Sequence, residues 1–342
     1  MPTSTLTFPV DAIPRPGEVL GVAPGVHWVR MPLPFALDHV NLWLLDDGDG
    51  WCLVDTGICN DSVKAQWRTL FDGALAGRPI GRVVVTHFHP DHMGLAGWLT
   101  ARYDAELLMA RTEWLVARSL WLDDGADTAE AYARFYRRAG LPGGLVDALK
   151  HRNGIYRRSV SPVPPIFSRL QDGDTLTVGA REWRVIVGHG HAPEHLCLYC
   201  GELGLLISGD QVLPRISPNI SVWPAEPDAD PLDDFLASMP AFAPLPADTL
   251  VLPSHGPPFR GLGARLDQLG QHHRERLVET ATACAGPATV MAVTGALFKR
   301  ELDDHQFMFA VGETLAHLNH LVARGRITRS ADADGILRFV AV

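Results

Sequence analysis

The six residues His87-Phe88-His89-Pro90-Asp91-His92 carry the strongest signal in the sequence. They follow a valine-rich run at 82–86, which predicts a buried strand that leads into His87. Because side chains alternate along an extended backbone, His87 and His89 are expected on the same side of the chain. Pro90 then turns the chain, so that Asp91 and His92 can point to a second centre close by. Imidazole and carboxylate groups suit zinc, and suit iron or manganese with less preference, so this segment predicts a metal site.

The same order of elements occurs twice along the chain. Each time, a hairpin ends at an aspartate, a helical stretch follows, and a strand then leads into a histidine. The first copy has its hairpin at 40–55, with Asp55 at its end, and finishes at His87. The second copy has its hairpin at 196–208, followed by Asp210, and finishes at His255. This weak internal repeat predicts two similar βα halves that face each other, with their strand ends converging on one site.

Two regions lie outside the repeat. The stretch at about 112–160 is typical of a helical insertion, and a proline-rich segment at 161–165 closes it. Beyond residue 265 the pattern changes to three helical stretches and a final hairpin, which predicts a small winged-helix-like domain. We therefore expect a larger domain at 1–265, which contains the insertion and the metal motif, and a second domain at 266–342.

Composition and charge exclude several classes of protein. The 342 residues are 46% hydrophobic and carry a formal net charge of −9, which fits a folded domain and argues against a nucleic-acid binder. The segment 266–342 has eight Lys and Arg against nine Asp and Glu, so it lacks a basic footprint. The five cysteines fit free thiols in a reducing compartment. Since neither a spanning segment nor a signal-peptide core is found, we expect a cytoplasmic protein that does not enter a membrane.

The His-x-His-x-Asp-His motif after a buried strand resembles the metallo-β-lactamase-fold superfamily of metallohydrolases. Further motifs match in chain order: His191 and His195 in the segment 188–195, Asp210 in Ser-Gly-Asp, and His255 in Ser-His-Gly. Asp55, in Val-Asp-Thr-Gly, matches an aspartate that usually supports the site without binding metal. The resemblance covers about residues 20–260, and His189 and Glu194 depart from the usual motif.

This resemblance implies an α/β fold of the αββα sandwich type and a site for two divalent metal ions, zinc before iron or manganese. It assigns the ligands in two sets, with Asp210 and a water as the bridge: His87, His89 and His191 for one ion, and Asp91, His92 and His255 for the other. Asp55 and His195 are then supporting residues behind the ligands.

The implied reaction is hydrolysis of a small ester, thioester or lactone by a metal-bridging hydroxide, with Asp210 and Asp91 as the catalytic carboxylates. Asp91 can accept a proton as well as hold its ion. True β-lactamases of the superfamily generally lack an aspartate at the position of Asp210, so the chain looks more like the glyoxalase II, lactonase and phosphodiesterase branches. Two alternatives stay open: a phosphodiesterase or ribonuclease of the same superfamily, and an iron-dependent oxidoreductase that uses the same ligands.

Residues near the expected site mouth are candidates for the substrate pocket. Arg215, in the loop after Asp210, is placed to meet an anion, and the other candidates are Ile216, Trp223 and Phe35. His39 is expected to be structural, and His189 to be a solvated turn residue. The expected partner is a small-molecule substrate, with no nucleic acid and no membrane, and formation of a homodimer is left open.

Overall fold

The computed structural model describes residues 5–35, 37–123, 125–151, 154–302 and 304–342. Its first sheet has seven strands in chain order. The first four pair antiparallel, and the last four pair parallel. They are β1 (Leu20–Ala23), β2 (Val26–Pro32), β3 (His39–Asp47), β4 (Gly50–Val54), β5 (Ile80–Val84), β6 (Glu106–Met109) and β7 (Ser168–Arg169).

The second sheet has five strands, in the order β12-β11-β10-β9-β8. Strands β8 to β11 pair antiparallel, whereas β11 and β12 pair parallel. They are β8 (Thr175–Val178), β9 (Arg181–Gly188), β10 (His195–Cys200), β11 (Leu205–Gly209) and β12 (Leu250–Pro253). Both predicted hairpins are present, as β3–β4 and β10–β11, and each is followed by a parallel partner strand.

The two sheets pack face to face around a core to which both contribute. Trp28 and Trp43 of the first sheet stack with their ring centroids 5.9 Å apart, and Trp183 of the second sheet is buried in the same cluster. The alternation of strand side chains sends the other residues outward. Cys197 therefore packs on the outer face of its sheet, while Cys200 faces the inner core.

Helices cover both outer faces, which completes the αββα sandwich. Those over the first sheet are α1 (Asp61–Asp72), α3 (Ala96–Tyr103) and α4 (Arg111–Leu122), and the short α2 (Pro90–Met93) holds the end of the metal motif. Those over the second sheet are α8 (Pro231–Ser238), α9 (Leu262–Ala283), α10 (Val290–Leu297) and α11 (Asp304–Ala323). The short 3₁₀ helix Met239–Ala241 follows α8.

The helical insertion is the connection between β6 and β7. It consists of α4, α5 (Ala126–Arg138), α6 (Gly143–His151) and α7 (Ile155–Ser159). The chain ends with α9 to α11 and the antiparallel hairpin β13 (Ile327–Ala331) and β14 (Leu337–Ala341). The predicted domain boundary at residue 265 falls inside the first turn of α9. No helix in the described part of the chain is both long and apolar enough to cross a membrane.

The parallel strand pairs determine where the site lies. The carboxyl ends of β4 and β5 lead to Asp55 and His87, and those of β11 and β12 lead to Asp210 and His255. Because parallel neighbours end at the same edge of a sheet, each pair brings its two polar residues together. The sandwich then places the two pairs at one end of the molecule.

Candidate metal centre

Seven histidine and aspartate side chains meet at this end of the sandwich. They form three overlapping groups within the described residues, and the ligand atoms in each group lie within 4.8 Å of one another. The groups are His87, His89 and His191; His87, His92 and Asp210; and Asp91, His92 and His255. All seven residues that the resemblance names as ligands are therefore brought together, and His189 lies outside every group.

The first group consists of three imidazoles whose ring nitrogens lie close together. His87 Nε2 lies 2.9 Å from His89 Nδ1 and 3.2 Å from His191 Nε2. Burial lowers the pKa of His87 well below its usual value, and lowers that of His89 to about 3, so both rings are neutral near pH 7. Neutral imidazoles whose lone pairs converge on one point repel each other unless a proton or a cation lies there. We call these residues the three-histidine group.

The group of Asp91, His92 and His255 combines one carboxylate with two imidazoles. Asp91 Oδ2 lies 3.5 Å from both His92 Nε2 and His255 Nε2. Burial opposes a charge on His255, but the carboxylates of Asp210 and Asp91 outweigh it and raise its pKa to about 10. Burial also opposes a charge on Asp91, but the charge of His92 and the hydrogen bond of His255 hold its pKa well below the usual value. We call these residues the Asp91 group.

Asp210 lies between the two groups, and each of its oxygens faces one of them. Oδ2 is 3.5 Å from His191 Nε2, whereas Oδ1 is 3.4 Å from His255 Nε2 and 3.7 Å from His92 Nε2. Burial would raise the pKa of this carboxyl, but the charges of His255 and His92 hold it well below the usual value. A side chain in this place can contact cations on both sides.

Unpaired buried atoms show that the centre fits metal ions. His92 Nε2 and Asp210 Oδ1 face each other across the centre at 3.7 Å, and both are buried without a hydrogen-bond partner among the described residues. Leaving such a group unpaired costs about 1–3 kcal/mol, so two together at one point favour a bound ligand. Imidazole nitrogen with carboxylate oxygen is a donor set that divalent transition metals prefer.

Comparisons with known proteins agree with this geometry. The metallo-beta-lactamase superfamily profile matches residues 36–255, and a profile for a metallo-beta-lactamase-like C-terminal domain matches residues 277–342. The chain belongs to the metallo-β-lactamase superfamily. Membership in this superfamily of metallohydrolases supports a metal-binding hydrolase, and it confirms the predicted fold class.

Three similar proteins place the chain within the superfamily. A beta-lactamase domain protein from Burkholderia ambifaria has a solved structure that is 44% identical, with a TM-score of 0.91 and 98% of each chain covered. The "Probable metallo-hydrolase YqjP" of Bacillus subtilis is 26% identical over 88% of this chain and 93% of its own. An acyl-coenzyme A thioesterase of Gallus gallus is 27% identical over 55% of this chain and 63% of its own.

Hydrogen-bond acceptors behind the histidines, either carboxylate or backbone oxygens, fix the orientation of their imidazole rings. Asp55 has φ +63°, a conformation that non-glycine residues rarely adopt, and is 2% exposed. It accepts hydrogen bonds from Thr86 N at 2.8 Å and from His92 Nδ1 at 2.8 Å. Its carboxylate therefore holds a proton on His92 Nδ1, which leaves Nε2 as the ring atom that faces the centre.

Three other histidines of the centre are oriented in the same way. His191 Nδ1 donates to Asn219 O at 2.8 Å, and His255 Nδ1 donates to His39 O at 2.7 Å. His87 Nδ1 lies 3.0 Å from the Thr86 hydroxyl, which itself contacts Asp55. In each case the outward nitrogen is occupied, which leaves Nε2 for the centre.

The side chains of His195 and His39 bind backbone N–H groups instead of facing the centre. His195 Nε2 accepts the backbone N–H of Asp210 at 3.0 Å, and His39 Nε2 accepts that of Gly256 at 3.0 Å. A Cβ on Gly209 would lie 2.3 Å from His195 Cε1, so a glycine is required for this close approach. His195 thus holds the turn that carries Asp210, and His39 has the structural place expected for it.

The pocket candidates are spread more widely. Trp223 has its ring centroid 6.3 Å from that of His89 and is 41% exposed, so it lies beside the centre. Ile216 and Phe35 are also exposed, at 48% and 41%. The Arg215 guanidinium lies 5.3 Å from the centroid of Phe8 in the N-terminal segment. The anion-binding role of Arg215 stays a prediction.

The helices at the end of the chain hold the segment between β11 and α8, which sequence reasoning did not foresee. Arg265 on α9 donates to Leu213 O at 2.6 Å and to Ile216 O at 2.7 Å. Gly312 on α11 accepts the N–H of Val222 at 3.1 Å. Because this segment also carries Asn219, these helices support the acceptor of His191. A backbone acceptor has no sequence signature, so only the fold reveals it.

Proposed function

We propose that this protein is a dinuclear metal-dependent hydrolase of ester-type bonds, with thioesters as the favoured class and zinc as the favoured metal. The observation that carries the proposal is the place of Asp210, whose two carboxylate oxygens face different ligand groups. A carboxylate shared between two cations reduces their repulsion and holds them close together. When bound, two such ions lower the pKa of a water and polarise a carbonyl oxygen.

The residues of this chain would divide the work as follows. The three-histidine group and the Asp91 group each hold one ion, and Asp210 lies between them. The Asp91 side chain is 20% exposed and that of Asp210 is 10% exposed, so Asp91 is the carboxylate of the centre nearer to solvent. It is therefore the group of the centre best placed to take a proton from the attacking water.

The reaction balances without a further co-reactant. The water oxygen forms a bond to the acyl carbon, the C–S bond of the thioester breaks, and the leaving sulfur takes up a proton. The products are a carboxylic acid and a thiol. Trp223 lies beside His89 and offers an apolar surface for the acyl group next to the centre.

The relative from Gallus gallus supports the choice of thioesters, because its name states acyl-coenzyme A as substrate. Esters and lactones present the same carbonyl, and belong to the same proposal. The five cysteines are free, and four of them are buried, which supports a reducing compartment such as the cytoplasm.

The test is a substrate panel on zinc-loaded protein, with acyl thioesters, aryl esters, lactones, a phosphodiester and single-stranded RNA. We expect kcat/KM to be highest among the thioesters and esters, and to vanish on treatment with a chelator. Asp210→Asn preserves side-chain size but removes the shared charge, and should lower this activity by at least 100-fold. Phosphodiester or RNA cleavage without any thioester or ester hydrolysis would overturn the proposal.

A further inference from the structure

The insertion contains a buried carboxylate that the proposed reaction does not use. Glu113 lies in the first turn of α4 and is 0% exposed. Burial raises its pKa to about 7, although two backbone N–H groups oppose this shift. Burying an acidic group without a cation costs free energy, and the hydrogen bonds of Glu113 have to offset that cost.

Glu113 joins the two loops that carry the three-histidine group. Its Oε2 accepts the N–H of Phe88 at 2.9 Å, and its Oε1 accepts the N–H of Glu194 at 2.6 Å. Phe88 separates His87 from His89, and Glu194 follows His191 by three residues. One rigid carboxylate therefore sets the distance between the backbone of one loop and the backbone of the other.

Two more side chains complete this connection. Tyr156 on α7 donates its hydroxyl to Phe88 O at 2.6 Å, so the insertion holds Phe88 at both its N–H and its carbonyl. Glu194 in turn accepts the N–H of Thr112 at 2.7 Å. The residue before α4 is Ala110, which has no side-chain oxygen to cap the helix, so Glu194 supplies the missing acceptor.

Glu113 makes no hydrogen bond to the Asp91 group among the described residues. The carbonyl of His92 accepts the Thr56 hydroxyl at 2.6 Å, and the His92 ring is held by Asp55. His255 is held by the carbonyl of His39, on a strand of the first sheet. The insertion reaches the segment after His92 at another point, where the Ser161 N–H donates to Gly94 O at 2.7 Å. A change at Glu113 should therefore act on one ligand group and spare the other.

We propose that Glu113 is a positioning residue that sets the spacing of His87, His89 and His191, so that the helical insertion controls metal occupancy of the three-histidine group. This inference rests on the proposed two-ion centre. It gives the insertion a role at the metal centre, and it gives Glu194, which departs from the usual motif, a structural role as the acceptor of the Thr112 N–H.

The test is zinc titration of the full chain with the Glu113→Gln variant. Glutamine keeps the size of the side chain but offers one acceptor oxygen, so one of the two N–H groups must face an NH2 group. Changes of residues behind metal ligands typically weaken binding about 10- to 100-fold. We expect the variant to bind one zinc as tightly as the wild-type protein, and the other at least 10-fold more weakly, in chelator-buffered equilibrium dialysis.

Arg118→Ala is the matched control, because Arg118 fastens the same helix to Val163 O at 2.8 Å without touching a ligand loop. It should keep both zinc affinities. Tyr156→Phe removes only the hydroxyl on Phe88 O, and should weaken the same single ion to a smaller degree. If Glu113→Gln does not fold, Tyr156→Phe decides the question.

The outcomes separate this inference from the proposed function. Two ions of unchanged affinity in both variants, or equal weakening of both ions, would overturn the positioning role while leaving the two-ion hydrolase intact. A wild-type protein that binds only one ion would overturn both proposals. Selective loss of one ion in Glu113→Gln, with none in Arg118→Ala, supports the inference.

Discussion

Replacing Asp55 by asparagine tests whether supporting residues determine the state of the metal ligands. The asparagine side chain would keep one oxygen for Thr86 N and present an NH2 group to His92 Nδ1. That NH2 group cannot accept a hydrogen bond from Nδ1–H, so His92 is driven to the tautomer with its proton on Nε2, which faces the centre. The ligand then offers a hydrogen where a lone pair is needed.

The size of the effect follows from the bond that is lost. A hydrogen bond to a buried charged acceptor contributes about 1.5–3 kcal/mol, which corresponds to roughly 10- to 150-fold in affinity. We therefore expect Asp55→Asn to weaken zinc binding at the Asp91 group by about 10- to 100-fold. The assay is competition with a zinc chelator of known affinity at neutral pH, together with the thermal unfolding midpoint of the metal-free protein. Zinc affinities close to those of the wild type in a folded variant would refute the reasoning.

Three other perturbations have defined outcomes. Asp210→Ala should lower kcat/KM by orders of magnitude even in excess zinc, whereas His189→Ala should stay near wild type because the His189 imidazole donates to Pro193 O and belongs to none of the ligand groups; equal losses would contradict the ligand assignment. Burial lowers the pKa of His273 to about 3, below that of the unfolded chain, so stability falls as pH drops below about 6.5. In urea unfolding between about pH 7.5 and about pH 5, wild type should lose about 2 kcal/mol more than His273→Phe, and equal losses would refute this. Gly312→Ala would place a Cβ 2.7 Å from Ser221 Oγ, and should reduce kcat/KM by shifting the segment that carries Asn219; an unchanged kcat/KM in a folded variant would contradict that role.

Local patterns were sufficient to predict the frame of the site. The hairpins that end at Asp55 and Asp210 have polar turn residues between apolar strands, and the structure has them as β3–β4 and β10–β11. An extended backbone is expected to place His87 and His89 on one side of the chain, and their ring nitrogens are 2.9 Å apart, although β5 itself ends at Val84. These features depend on neighbours in the sequence, which is why the sequence alone predicts them.

Long-range packing determines what the sequence did not reveal. A glutamate in the first turn of a helix is usually exposed to solvent. Glu113 is buried because two ligand loops from other parts of the chain pack against it. The acceptor of His191 is a backbone carbonyl, which any residue at position 219 would provide. The contact of the Arg215 guanidinium with Phe8 also joins residues far apart in the sequence, which only the folded chain brings near each other.

The central claim is that Asp210 lies between two metal ions. Anomalous X-ray diffraction at the zinc edge, on crystals of zinc-loaded protein, tests it most directly. We predict two anomalous peaks, one at the three-histidine group and one at the Asp91 group, with the Asp210 carboxylate between them. A single peak in crystals of fully active protein would contradict the claim.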